Sequence, residues 1–374
     1  MFLCFFGNCM FVGLLFSSRA WNERTNISLH AFFLSLLLFS IVIVVLRKIL
    51  SNENRSMVLR RGAENAALFL LLTLHCTVAQ LTKSKISVHA GGYSEATSQI
   101  VSIGRPRVIK ILDTFSIASS IKSANPGIFI IGRIYLPSQP QSGSPQQAAL
   151  SWWYSNNGTI LSHPSVDAWE GYNEPDVSSA SAMTWYSQFE VARVELLGSH
   201  SIRAVIGCFS TGTPDVTAPS LITLFNPAID AAMAHDGILA VHEYASPFMW
   251  GCFSNVTNDG WYVGRYRKWY NQFLIPSNRT IKLIISETGI DAVSGCSGPS
   301  FAGYLAACGY WEQQGWGSDC AASYVRQLAW YDTILREDDY VMGATVFQID
   351  CPGWANYDVT PSASALTNYL LSQK

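Results

Sequence analysis

Two glutamates of the sequence each follow a short apolar run, and together they could act on one bond. Glu174 lies in the segment WEGYNEPD at residues 169–176, and Glu287 lies in the segment IISETG at residues 284–289. A carboxylate next to a buried strand costs free energy unless it is paired or used. A single glutamate in such a position is better explained as a helix cap or a salt-bridge partner. Two of them can supply the proton donor and the carboxylate that cleavage of a glycosidic bond requires, at a separation of about 5–5.5 Å in retaining enzymes.

Eight short runs of apolar and β-branched residues are the elements that would position these glutamates. They are residues 86–90, 108–112, 128–134, 166–172, 204–209, 239–244, 283–286 and 343–349. Runs that are apolar on both faces are typical of buried parallel strands, and helical patterns occur between them at residues 183–197 and 321–336. Eight strand–helix units predict a single α/β domain with the (β/α)8 (TIM) barrel fold. A doubly wound sheet is the alternative, but residues 90–93 lack the glycine-rich phosphate loop that it needs.

In such a barrel, active-site residues come from the C-terminal ends of different strands. The sequence Asn-Glu-Pro after the fourth run, and a glutamate after the seventh, resemble the large clan of retaining (β/α)8 glycosidases that contains cellulases, mannanases and β-xylosidases. The resemblance covers residues from about 86 to 350. It implies that Glu174 is the acid/base and Glu287 the nucleophile. It also implies that Asn173 binds the sugar hydroxyl next to the anomeric carbon.

The sixth run ends in His242, Glu243 and Tyr244. Residues two apart on a strand share a face, so His242 and Tyr244 point together and Glu243 points away. The resemblance implies that Tyr244 contacts Glu287 and donates a hydrogen bond that favours its ionised form. For His242, a substrate-binding residue and a satisfied core histidine are both open. Glu243 is predicted to pair behind the barrel.

The chain departs from the clan in two places. The clan places an arginine on strand two near the nucleophile, whereas here Lys110, or Arg133 on strand three, is the candidate replacement. Strand eight commonly carries a tryptophan in the clan, whereas here it reads Phe347-Gln348-Ile349-Asp350. A further carboxylate, Glu170, is predicted to hydrogen-bond inside the barrel, with a raised pKa for Glu174 as the alternative consequence.

Aromatic residues are predicted to form sugar platforms along a cleft, because their faces stack on the CH faces of pyranose rings. Two long loops, at residues 136–164 and 288–320, are predicted to build this cleft. Trp250 and Trp311 are the predicted substrate-binding tryptophans. Further candidates are Trp152, Trp153, Tyr154, Tyr310 and Trp316, whereas core packing is expected for Trp185, Trp269 and Trp330.

Residues 1–56 form a hydrophobic N-terminal extension that has two interpretations. Residues 29–46 are apolar and just long enough to span a bilayer, which takes about 17–25 residues, so they could be a membrane anchor. Alternatively, Met57 is the true start and the upstream stretch is a gene-model artefact. We favour the second interpretation because a complete signal peptide is redundant behind an anchor.

Residues 57–79 have the three parts of a signal peptide. Two arginines come first, an apolar stretch follows at residues 66–74, and small residues end at Ala79. We therefore predict a secreted glycosidase domain at residues 80–374, with a membrane-anchored extracellular domain as the alternative.

The cysteines and sequons agree with export. Six cysteines follow residue 80, and an even number in an exported chain indicates disulfides, with 15 possible connectivities. Cys208, within an apolar run, is alternatively a free buried thiol. Cys296, Cys308 and Cys320 are predicted to fasten the second long loop. Glycosylation sequons occur in apparent turns at Asn157, Asn255 and Asn278.

Charge limits the class of ligand. Residues 80–374 carry 17 Lys and Arg against 23 Asp and Glu, a net charge of −6. An acidic surface argues against nucleic acid as a partner, and no spacing typical of a metal site or cofactor is present. The sequence therefore predicts a monomeric, metal-free retaining glycoside hydrolase that cleaves β-glycosidic bonds in a neutral polysaccharide, endo-acting on a β-glucan-like substrate. A non-catalytic carbohydrate-binding barrel is the alternative.

Overall fold

The computed structural model describes residues 80–254, 259–293 and 298–374. The predicted extension and signal peptide, and the predictions for Asn255 and Cys296, lie outside these residues. Within them, no helix combines the length and apolar composition that crossing a bilayer requires. Eight parallel strands close into a barrel, each hydrogen-bonded to the next along the chain and the last to the first. The (β/α)8 prediction is confirmed, and the open doubly wound sheet is excluded.

All eight predicted strands form. In chain order they are β1 (Ile86–Ala90), β2 (Val108–Leu112), β3 (Phe129–Arg133), β4 (Ala168–Glu170), β5 (Arg203–Phe209), β6 (Ile238–Ala245), β7 (Lys282–Ile290) and β8 (Val341–Ile349). Two bounds differ from the prediction in a way that matters. β4 ends at Glu170 rather than at residue 172, which lengthens the turn before Glu174, and β7 continues to Ile290, so Glu287 lies within it.

Helices follow the strands on the outside of the barrel. The α-helices are α1 (Glu95–Gln99), α2 (Ala118–Ala124), α3 (Pro145–Ser162), α4 (Ala180–Ser199), α5 (Pro219–Ile222), α6 (Asn226–Ala234), α7 (Tyr266–Trp269), α8 (Tyr304–Gln313), α9 (Cys320–Glu337) and α10 (Ala363–Ser372). The long ones begin at capping residues. The side chains of Ser144, Ser179 and Asp319 each accept a hydrogen bond from a backbone N–H of the first turn of α3, α4 and α9. Both predicted long helices, now α4 and α9, are confirmed.

The two faces of the strands pack into different apolar clusters. One cluster fills the barrel interior; its members are Val108, Ile131, Ala168, Val205, Cys208, Ile238, Ala240 and Ile284. The residues that alternate with these, such as Ile109, Ile130 and Leu283, join a larger cluster between the barrel and the helices. This alternation follows from the two-residue period of a strand. It explains why the runs are apolar on both faces.

The predicted long loops contain helices. Trp152 and Trp153 lie in α3, each about 5% exposed, and pack in the core, so they are not cleft platforms as predicted. Asn157 is also in α3 rather than in a turn. The second loop contains α8, and the Cys308–Cys320 disulfide ties α8 to the start of α9, as expected for these two cysteines. Cys208 is a free, buried thiol, which confirms that alternative.

A buried ion pair joins α4 to the barrel. Arg193 and Glu190 have fully buried side chains and form an ion pair at 2.7 Å. The Arg193 guanidinium also donates to the carbonyls of Trp169 on β4 and Val205 on β5, at 3.2 and 2.6 Å. One side chain thus connects α4 to two strands, one of which, β4, has only three residues.

We predict that Arg193→Gln lowers the free energy of unfolding by about 3–5 kcal/mol, because it leaves Glu190 as an uncompensated buried charge. Urea unfolding followed by circular dichroism measures this. Arg203→Gln is the matched control: its exposed pair with Asp236 should contribute at most about 1 kcal/mol. Equal effects of the two substitutions would contradict the structural role of Arg193.

Candidate functional site

Glu174 and Glu287 lie together at the C-terminal rim of the barrel. One carboxylate oxygen of each, with a ring nitrogen of His242, lies within 4.8 Å of the others. The Glu287 side chain is only 8% exposed, whereas that of Glu174 is 40% exposed. The structure therefore brings two glutamates 113 positions apart in the chain to one site, in contrasting environments.

Register shifts in the strand pairing set the direction of both glutamate side chains. Between β6 and β7 the register shifts after Val241, so that His242 pairs with Glu287 and Ser286 is the extra residue. The two side chains therefore share the inner face. In β5, the register shifts around Cys208, whose carbonyl accepts a hydrogen bond from the backbone N–H of Glu174 at 2.9 Å.

Glu287 accepts three hydrogen bonds. The Tyr244 hydroxyl donates to Oε2 at 2.9 Å, while Lys110 Nζ and Arg133 Nη1 donate to Oε1 at 3.0 and 3.1 Å. The predicted contact of Tyr244 with Glu287 is present. Both candidate replacements for the strand-two arginine are also in contact with Glu287, so two cations occupy the place predicted for one.

These contacts set the protonation of Glu287. Burial alone would raise its pKa, but the surrounding positive charges hold the pKa of Glu287 well below its usual value. Burial and the charge of Glu287 raise the pKa of Tyr244 well above its usual value. The phenol therefore stays protonated and donates a hydrogen bond to Glu287. Glu287 is therefore a carboxylate at neutral pH.

Lys110 stands between two glutamates inside the barrel. Its ammonium lies 2.8 Å from Glu170 Oε2 and 3.0 Å from Glu287 Oε1, and all three side chains are buried. Burial alone would lower the pKa of Lys110, but the charges of Glu170 and Glu287 raise it. Glu170 thus lies inside the barrel, but it forms an ion pair with Lys110 rather than the predicted hydrogen bond: among the described residues, neither of its carboxylate oxygens accepts one.

His242 bridges the two candidate carboxylates. Its Nδ1 lies 2.8 Å from Glu174 Oε1 and 3.6 Å from Glu287 Oε2, and its side chain is fully buried. Glu243 points away, as predicted: it accepts hydrogen bonds from the backbone N–H groups of Gly264 and Tyr266. Burial raises the pKa of Glu243 to about 7. His242 therefore contacts both candidate carboxylates, and its role in substrate binding stays a prediction.

Asn173 has a free side-chain acceptor. Its Oδ1 is buried and, among the described residues, finds no hydrogen-bond partner. Its backbone N–H and carbonyl are both bonded to the Gln139 side chain, at 2.5 and 2.8 Å. A buried polar atom of this kind is normally satisfied, so Asn173 has capacity to bind a donor group of a ligand.

The predicted tryptophan platforms are not at the glutamates. Trp311 lies in α8 with no exposed surface, and its indole N–H donates to the Pro247 carbonyl at 2.7 Å. The prediction that Trp311 binds substrate is wrong, because its ring is buried where α8 packs and no part of it faces a cleft. Trp250 is half-buried, and it lines a cleft of about 550 Å³ with Trp316 and Trp330, which includes neither glutamate.

Two further residues were not identified from the sequence, one beside Glu287 and one in an aromatic group that reaches the first. His89, near the end of β1, is buried with Nδ1 3.7 Å from Glu287 Oε1. Burial and the charge of Lys110 hold its pKa well below the usual value, so its ring is neutral. Trp354 follows β8, is 50% exposed, and lies 5.3 Å from the Phe347 ring, which in turn lies 5.3 Å from His89. A histidine one residue before the end of the apolar run of β1 was the available signal for His89.

No family model and no curated protein matches the chain. Similar solved structures include a GH2 beta-galacturonidase from Eisenbergiella tayi bound to galacturonate (12% identity, TM-score 0.45, 75% of this chain and 47% of that chain). A second is a beta-D-glucuronidase of Dictyoglomus thermophilum (13% identity, TM-score 0.44, 77% of this chain and 50% of that chain). A third is a beta-mannanase of Thermomonospora fusca (12% identity, TM-score 0.42, 74% of this chain and 82% of that chain). The chain spans about half the length of the first two. We therefore infer function from the site itself.

We predict that Lys110→Met raises the pKa of Glu287 by about one to three pH units, because a nearby opposite charge is lost. Carbon-13 NMR titration of labelled glutamate carboxyls measures this. The double variant Lys110→Met/Glu170→Gln removes the carboxylate that would otherwise be left unpaired and should show the same rise. Lys122→Met, which removes a partly exposed partner of Asp167, should leave the Glu287 titration unchanged.

Proposed function

We propose that the chain is a retaining glycoside hydrolase that cleaves β-glycosidic bonds, with Glu174 as acid/base and Glu287 as nucleophile. The observation that carries this proposal is the approach of the two carboxylates to within 4.8 Å. Inverting enzymes hold their carboxyls about 6.5–9.5 Å apart to leave room for a water molecule. The spacing here supports direct attack by one carboxylate instead.

The environments fit the two roles. Glu287, ionised and held from both sides, attacks the anomeric carbon, while Glu174 gives its proton to the departing glycosidic oxygen. The glycosyl–Glu287 ester is then cleaved by water, whose proton returns to Glu174. The exposure of Glu174 supports its role, because the leaving group and the incoming water must both reach it.

The neighbouring residues support this assignment. Tyr244 and the cations fix the Glu287 carboxylate, so little reorganisation is needed when it attacks. His242 orients the Glu174 carboxyl. Asn173, with its unpartnered Oδ1, would bind the hydroxyl next to the anomeric carbon, a contact that strengthens as the oxocarbenium ion develops.

A neutral, β-linked polysaccharide, cleaved internally and resembling a β-glucan, is the proposed substrate. Lys110 and Arg133, the cations in contact with Glu287, are already engaged by carboxylates, which favours a neutral sugar over a uronate. The same pairing disfavours a metal at Glu174, His242 and Glu287, since the ion would compete with two cations. Dialysis against EDTA should therefore leave the activity intact. Secretion remains part of the proposal and is supported by the Cys308–Cys320 disulfide.

Substitution of each glutamate should produce a different chemical outcome. We predict that Glu287→Ala abolishes turnover of aryl β-glycosides and that azide restores it with an α-glycosyl azide as product. Glu174→Ala should lower kcat/KM by about 10²–10⁴ on substrates with poor leaving groups, and azide should give the β-glycosyl azide. Product anomers are read by NMR.

Glu195→Ala, which removes an exposed glutamate of α4, is the control and should retain full activity. Binding of polysaccharide without turnover by the wild-type protein would favour the non-catalytic carbohydrate-binding alternative. An α-glycosyl azide from Glu174→Ala would contradict the assignment of the two roles.

Trp354 is proposed as a sugar platform, because half of its surface is free and its ring lies in the aromatic group that reaches His89. We predict that Trp354→Ala raises KM for polysaccharides several-fold while kcat on a small aryl glycoside changes little. Trp261→Ala removes a tryptophan of similar exposure, 46%, and is the matched control. Equal KM values for the two variants would remove Trp354 from the substrate site.

A further inference from the structure

The turn that carries Glu174 has left the sheet. β4 ends at Glu170, and its last pairing with β3 is between Gly132 and Trp169. The residues that follow therefore need other partners for their backbone groups, because buried peptide groups are almost always hydrogen-bonded. On the β5 side, the Glu174 N–H bonds the Cys208 carbonyl. On the β3 side, no strand of the described residues pairs with this turn.

Two glutamine side chains take the place of that strand. Gln139 Oε1 accepts from the Asn173 N–H at 2.5 Å, and Gln139 Nε2 donates to the Asn173 carbonyl at 2.8 Å. Gln141 repeats the pattern on Asp176, at 2.6 Å for the N–H and 2.8 Å for the carbonyl. Each amide thus satisfies both backbone groups of one residue, as a neighbouring strand would.

The segment that carries the glutamines is itself fixed. Residues two apart in an extended chain point to the same side, which allows Gln139 and Gln141 to reach the same turn. The indole N–H of Trp185 on α4 donates to the Gly143 carbonyl at 2.9 Å. The Tyr172 hydroxyl donates to the Pro140 carbonyl at 3.4 Å. The glutamines therefore connect the Glu174 turn to an anchored segment.

Glu174 needs this support because its backbone is left-handed, with φ at +48°. A residue with a Cβ is strained there and keeps the conformation only where its surroundings enforce it. The two glutamines hold Asn173 on one side of Glu174 and Asp176 shortly after it, and Pro175 between them has no N–H to contribute. The direction of the Glu174 side chain depends on these two flanking peptides.

We propose that Gln139 and Gln141 are positioning residues that hold the acid/base, Glu174, in reach of the departing oxygen. This inference rests on the proposed function. If the acid is misplaced, the rate of cleavage falls most for substrates whose leaving group must be protonated. Gln139→Met and Gln141→Met keep the length of the side chain and remove both hydrogen bonds, so they test the positioning with little loss of volume.

The experiment compares two leaving groups on the aryl β-glycoside that the wild-type protein cleaves fastest among glucoside, mannoside, xyloside and galactoside. For a phenyl glycoside, which needs the acid, kcat/KM should fall about ten- to a hundredfold in each variant, as expected for a small displacement of a catalytic group. For the 2,4-dinitrophenyl glycoside, which departs without protonation, it should stay within about threefold of wild type. Gln147→Met, in the first turn of α3, is the control and should behave as wild type.

Each outcome decides the proposal. A leaving-group-dependent loss in the two variants, with unchanged thermal unfolding, supports it. An equal loss on both substrates, or no loss, overturns it, because either result shows that Gln139 and Gln141 do not act through the acid. Glu174→Ala is assayed in parallel: if it too lacks leaving-group dependence, or if wild type cleaves no glycoside of the panel, the proposed function fails and the positioning role with it.

Discussion

The structure depends on keeping one carboxylate ionised inside an apolar barrel. An isolated buried charge is far too costly to persist, and Glu287 is tolerated because Lys110 and Arg133 approach it within hydrogen-bond distance. Lys110 is itself buried and is balanced by Glu170. The interior of the barrel thus carries alternating charges from β4, β2 and β7. No one of them can be removed without leaving an unpaired charge behind.

Two departures from regular strand pairing bring Glu287 and Glu174 together at one site. A regular β7 would point Glu287 away from His242, because side chains alternate along a strand. The extra residue at Ser286 places both on the inner face. In β5, the shift around Cys208 coincides with its carbonyl bonding the turn of Glu174. The barrel supplies a rigid frame, and its irregularities supply the direction of each carboxylate.

The strands, the fold and the meeting of Glu174 with Glu287 were predictable from the sequence, because buried parallel strands have a strong apolar signature and their C-terminal ends meet at one rim. The aromatic predictions failed for a physical reason. Trp152, Trp153 and Trp311 belong to helices, and a tryptophan that packs a helix on a barrel has no sequence signal that separates it from a tryptophan in a cleft. The glutamine contacts to the Glu174 turn were equally invisible, since they join side chains to backbone groups across a loop.

The same residue type is placed in two environments that suit opposite requirements. In the proposed mechanism the nucleophile must remain unprotonated throughout, and Glu287 is enclosed by permanent cations and a phenol that keeps its proton. An acid/base must lose and regain a proton in each cycle, so it has to stay within reach of water and of the leaving group. Glu174 meets this need by standing outside β4 on a turn, 40% exposed. Its freedom is limited by His242, the histidine between the two carboxylates. The proposed roles therefore account for both features: the Glu287 carboxylate is held rigidly by its partners, and the Glu174 carboxylate is exposed on a supported turn.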